Sequence, residues 1–266
     1  LGILNPHLVD AGWKEVVPLV AVLAGRNAQP LIRYLIDLCK NSRYAGYERE
    51  PSPSNLLSQC FLDEIQVSPD LLEEGLEWIV RRPPDPSRII QLLFRGKYGK
   101  ILQKVIYDVY SNSDTDLFYS GSALADITLD QIGWVAFQEL TSQFFEKIMS
   151  LLNSEDSIQK AAGALAIMNT AFYYSRPMDK GKEMTAEIKK LLKMLGDQLI
   201  PILYLDDPRC CFAACWAFAW LGEINGWIPT HKPEVIMRLL DIWRNSQLAD
   251  VQEAACLPGR PQVALG

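Results

Sequence analysis

The sequence predicts an all-α chain whose helices pair into hairpins and stack as an α-α superhelix, and three observations predict it. A short phrase with two adjacent alanines recurs in the second half: Ile158-Gln159-Lys160-Ala161-Ala162, Cys210-Cys211-Phe212-Ala213-Ala214 and Val251-Gln252-Glu253-Ala254-Ala255. From Ala161 to Ala213 is 52 residues and from Ala213 to Ala254 is 41, a spacing that suits one helical hairpin per copy. Paired small residues let a neighbouring helix approach closely, and the apolar residue three positions earlier shares their face. Apolar residues elsewhere also fall three and four apart. Runs of strict two-residue alternation bounded by turns are missing, which argues against a substantial sheet.

The first helix is expected over Trp13, Val16, Val17, Val20, Leu23 and Ala24, with Gly25 as its stop. A second runs from about Gln29 to Lys40 with Leu31, Leu35, Ile36 and Leu38 inward. Gly46, Pro51 and Pro53 mark the stretch from Tyr44 to Ser54 as a loop, after which Ser54 caps a helix carrying Leu57, Phe61, Leu62 and Ile65. Ser68 caps the next helix, and Pro69 takes its first position, where a missing N–H costs nothing. Pro83-Pro84-Asp85-Pro86 is the strongest break in the chain. Ser87 to Phe94 and Lys100 to Tyr110 then read as a helical hairpin, and Ser111 to Gly121 as a loop and junction.

From about Leu129 a helix runs to Leu152, with a break near Glu139, and Asn153-Ser154-Glu155-Asp156 turns it into the first alanine-pair helix. A polar link covers Arg176 to Lys182. Pro201 should kink or divide the segment from Thr185 to Leu205. Asp206-Asp207-Pro208 caps the helix of Ala213 and Ala214, which ends near Gly222. On that helix Trp216, Phe218 and Trp220 alternate; two residues turn a helix by about 200°, so it is apolar around most of its girth, as an inner helix would be. Pro233 starts a helix through Ile236, Leu239, Leu240 and Trp243, and the last begins near Leu248 and stops at Leu257-Pro258-Gly259. Residues 257–266 carry no helical pattern and are expected to be a disordered tail.

Composition narrows the function classes. A hydrophobic content of 49% is ample for a core. A net charge of −6 argues against a general nucleic-acid binder, which would carry a basic stripe. Lys180, Lys182, Lys189, Lys190 and Lys193 sit among Glu183 and Glu187 and read as a solvated face. No apolar run reaches the roughly 18–20 residues of a membrane span, and no secretory signal opens the chain, so a cytoplasmic location is expected. The six cysteines form no C-x-x-C pair, and no histidine lies near enough in sequence to complete a zinc set. Cys211 and Cys215 share a helix face inside an apolar run and read as reduced packing residues.

No catalytic, cofactor or metal residues are expected. A phosphate-binding loop needs Gly, four residues, Gly-Lys and a hydroxyl, because backbone N–H groups must cradle phosphate. Around Gly99-Lys100, Phe94 stands in the first glycine's place and Ile101 in the hydroxyl's; Gly181-Lys182 fails likewise, with Arg176 and Glu183. The two histidines, His7 and His231, lie near opposite ends. Asp63-Glu64 and Glu73-Glu74 read as adjacent helix residues that splay apart instead of converging as an acid/base pair.

Asp207-Pro208-Arg209-Cys210-Cys211-Phe212-Ala213-Ala214 resembles the second helix of HEAT-type repeats, except that Cys211 stands where a basic residue is expected; Gln159 and Gln252 hold that place in the other copies. The resemblance covers roughly residues 140–256. Near the start, Pro6-His7-Leu8-Val9-Asp10-Ala11-Gly12-Trp13-Lys14-Glu15-Val16-Val17, continuing to Leu23-Ala24-Gly25, is similar to the segment that follows the winged helix in NACHT-type (STAND, NLR-like) signalling NTPases. That resemblance implies an NTPase domain upstream in the same polypeptide. Residues 1–110 would then be a helical domain and 111–256 HEAT-like repeats, sensing a protein or other macromolecular ligand and restraining the NTPase. A free-standing HEAT-repeat adaptor or scaffold is the alternative, and a HEAT-like lyase a third reading. Gln159, Arg209 and Gln252 flank or occupy one slot before each alanine pair and would line up as a partner-binding ridge; the rival reading makes them a hydrogen-bonding ladder between repeats. Tyr173 and Tyr174, near a helix end, are further candidates for a partner surface.

Overall fold

The computed structural model describes residues 11–41, 52–81, 86–112, 117–133, 136, 140–175, 186–225 and 233–256. The fold is all-α, and every regular element among those residues is helical. The chain divides into two compact units, residues 1–109 and 110–266.

In the first unit a 3-10 turn at Ala11–Trp13 leads into α1 (Val16–Ala24), followed by α2 (Gln29–Asn41), α3 (Pro53–Leu62), α4 (Pro69–Arg81), α5 (Pro86–Arg95) and α6 (Gly99–Asn112), whose last turn belongs to the second unit. Gly25 ends α1 as expected: its φ of 54° is left-handed, and its N–H returns to the Val22 carbonyl. α3 packs on α1, α2, α4 and α5, and α2 also packs on α4. The core holds Ile32, Leu35, Ile36, Leu57, Phe61, Leu76 and Ile79. Gly75 gives Phe61 its place: a Cβ there would stand 2.6 Å from Phe61 Cζ. On the surface Glu74 accepts from Arg33 (2.7 Å) and Lys40 (2.6 Å), tying α2 to α4, and the Lys40 ammonium holds the Glu74 carboxyl below its ordinary range.

Three expectations for this unit need correction. Ser52, not Ser54, caps α3: its Oγ accepts from Asn55 N–H at 3.2 Å, because Pro53 takes the first helical position. Ser54 is buried inside the helix. Ile65 lies beyond the helix, which ends at Leu62; Asp63 is its C-cap and Glu64 has a φ of 56°. The Asp63-Glu64 pair is therefore a helix terminus and not a helix face.

The second unit contains α7 (Leu117–Ile132), α8 (Ser142–Leu152), α9 (Ser157–Ser175), α10 (Ala186–Leu203), α11 (Pro208–Asn225), α12 (Pro233–Asn245) and α13 (Ala249–Cys256). α8 packs on α9, α10 on α11 and α12 on α13, each pair joined by a short turn. The second helices of these pairs also pack together, α9 against α11 and α11 against α13, while α7 covers α9. The turns are built by local side chains. Ile158 N–H donates to Asp156 Oδ1 (2.8 Å), Arg209 N–H to Asp207 Oδ1 (2.8 Å) and Leu248 N–H to Ser246 Oγ (3.2 Å), each satisfying an N-terminal donor two residues on.

Here too the sequence reading is corrected. Ser111 to Gly121 is not one loop: α6 extends to Asn112 and α7 begins at Leu117, whose N–H donates to the Asp250 carboxylate at 2.8 Å. The cap comes from 133 residues away. Asp250→Ala should therefore cost about 1 kcal/mol through loss of that cap, read as a lower unfolding midpoint and faster amide exchange in the first turn of α7. α10 passes through Pro201 without dividing; the proline is exposed and lies in the helix's last turn. The expected break near Glu139, His7, His231, the link over Arg176 to Lys182 and the tail over 257–266 fall outside the described residues.

Candidate interaction surface

The three alanine pairs are buried in second helices that pack on one another. Ala161, Ala162, Ala213, Ala214 and Ala254 are fully buried, and Ala255 is 8% exposed. α11, apolar around its girth, lies against α9, α10 and α13, with Phe218 fully buried. Trp216 and Trp220 are half-buried at its edges, Trp216 at 5.2 Å from Phe118 and Trp220 edge-on to Phe172 at 4.6 Å.

In two of the three copies the slot before the alanine pair turns back onto its own hairpin. Gln252 Nε2 donates to the Ser246 carbonyl (2.8 Å) and the Cys211 thiol to the Leu205 carbonyl (3.3 Å), each six residues back. Both acceptors lie just past the end of the hairpin's first helix, where carbonyls lack helical partners. The Cys210 thiol donates to the Ser157 carbonyl at 3.2 Å, joining α11 to the start of α9. Gln159 is half-buried at the start of α9.

Arg209 is the most constrained of the three ridge candidates. Its Nε donates to the Tyr110 carbonyl (3.0 Å), and the Tyr110 hydroxyl donates to the Arg209 carbonyl (2.9 Å). The Arg209 side chain is 24% exposed and its Nη1 stands 3.8 Å from Asp207 Oδ1. Tyr110 is fully buried, which pushes its phenol well above the ordinary value. The structure thus places Gln159, Arg209 and Gln252 in equivalent first turns, and no hydrogen bond joins the three to one another. Tyr173 and Tyr174 sit half-buried in the last turn of α9 with their rings at 5.3 Å and nearly perpendicular; burial, and then Tyr173, raises the Tyr174 phenol.

Sequence reasoning did not single out Arg238. It lines an open cleft of about 450 Å³ with Asp206, Arg209, Cys211, Asp241 and Asn245, between the α10–α11 turn and the α12–α13 hairpin. Arg238 Nη1 donates to Asp241 (2.7 Å) and Nε to the Leu203 carbonyl at the end of α10 (3.2 Å). The i, i+3 spacing of Arg238 and Asp241 was the only local signal; the carbonyl it reaches is 35 residues away. Both arginines are spent chiefly on the chain itself, so the cleft is a hydrogen-bonded joint between hairpins.

Burial pushes the thiols of Cys60 and Cys210 up to about 12, and raises those of Cys211 and Cys215, with Arg238 opposing the rise at Cys211. Thiolate is the nucleophile, so these cysteines are inert at neutral pH. Of the six, only Cys256 is not buried. An aromatic disulfide reagent at pH 8 should titrate at most one thiol in the native chain and all six in denaturant; rapid native reaction of two or more would contradict this packing. Among the described residues no group of three or more His, Cys, Asp or Glu is placed to hold a metal ion, and no helix is long and apolar enough to cross a membrane. Compared with protein-family models, curated proteins and solved structures, the chain matches none.

Proposed function

We propose that this chain is a non-enzymatic interaction region whose second unit is a HEAT-like stack of helical hairpins binding a macromolecular ligand. The observation that carries the reading is the row α9–α11–α13: three second helices that pack in order and each carry a buried alanine pair, each preceded by a turn in which an Asp or Ser side chain accepts a backbone N–H two residues on. Repeats of this kind contact mainly their neighbours and offer extended surfaces instead of enclosed pockets. The opening motif around Trp13-Lys14-Glu15-Val16 extends the proposal: the chain serves as the sensor region of a NACHT-type NTPase, with the nucleotide-binding domain upstream in the same polypeptide.

Two measurements test the two halves of this reading. The reading frame of the encoding gene should carry a Gly-x-x-x-x-Gly-Lys-Ser/Thr loop upstream of Leu1; its lack from the complete frame would leave a free-standing HEAT adaptor. The purified chain should neither bind MgATP by calorimetry nor release phosphate from it. In the Gly96–Gly99 turn two of the N–H groups a phosphate would need are directed to carbonyls, Gly96 N–H to Leu92 and Gly99 N–H to Gly96, which supports this expectation. ATP turnover above buffer that survives repurification would overturn this expectation.

A further inference from the structure

We draw no further inference here: the strongest candidate, the exposed apolar stripe of Ile236, Met237, Leu240 and Trp243 along α12, carries none because nothing in the structure shows what covers it.

Discussion

Ala213→Trp should lower the melting temperature of the chain by on the order of 10 °C, or leave its second unit unable to fold. Ala213 and Ala214 have no exposed surface, and their helix is enclosed by α9, α10 and α13. An indole at Ala213 must therefore displace a neighbouring helix. Adding even a few methylenes to a packed core costs about 1–3 kcal/mol, and an indole adds much more volume, so a loss of about 3 kcal/mol or more is expected. For a domain of this size each kcal/mol shifts the midpoint by about 2–4 °C. Glu253→Trp is the internal control. It sits beside the third alanine pair but is exposed, so the same indole should change stability by no more than about 0.5 kcal/mol. Thermal unfolding followed by circular dichroism reads both variants. Equal melting of Ala213→Trp and the parent would mean that Ala213 faces solvent and that the hairpin register is misassigned.

The hairpin turns were legible because their chemistry is local. Asp156 and Asp207 each bond a backbone N–H two residues on, and an aspartate just before a helix announces its start in the sequence. The α3 start is legible too, at Ser52 and not Ser54: Ser52-Pro53 has the same form as Ser68-Pro69, and proline at the first helical position places the cap before it. At the α7 start, Ser113-Asp114-Thr115-Asp116 offers the same residue types just before Leu117, but the bond to Leu117 N–H from the Asp250 carboxylate, 133 residues away, has no local signal. The candidate surface divides in the same way. Periodicity places Gln159, Arg209 and Gln252 in equivalent first turns, but it cannot reveal that Arg209 meets Tyr110 or that Gln252 folds back on Ser246. Those contacts depend on which carbonyls the tertiary packing leaves without helical partners.

Arg209→Glu is the second large effect, and it separates a partner-binding ridge from a stabilising contact. The substitution removes the donor to the Tyr110 carbonyl, a charged-donor bond whose net worth is about 1.5–3 kcal/mol. It also places a carboxylate where the guanidinium now lies 3.8 Å from Asp207, replacing attraction by repulsion. With the side chain about one-quarter exposed, solvent screens part of that repulsion, and a total loss of about 2–4 kcal/mol is expected. Arg209→Lys should cost less, about 1 kcal/mol, because the charge stays while the planar fork that reaches Tyr110 is lost. Chemical denaturation of the three proteins gives the order parent, lysine, glutamate. Raising the salt concentration should recover part of the glutamate deficit, the repulsive share, and none of the share due to the missing hydrogen bond. If Arg209→Glu instead melts with the parent, the guanidinium is not held by Tyr110 in solution, and Arg209 is free to meet a ligand as the ridge reading requires.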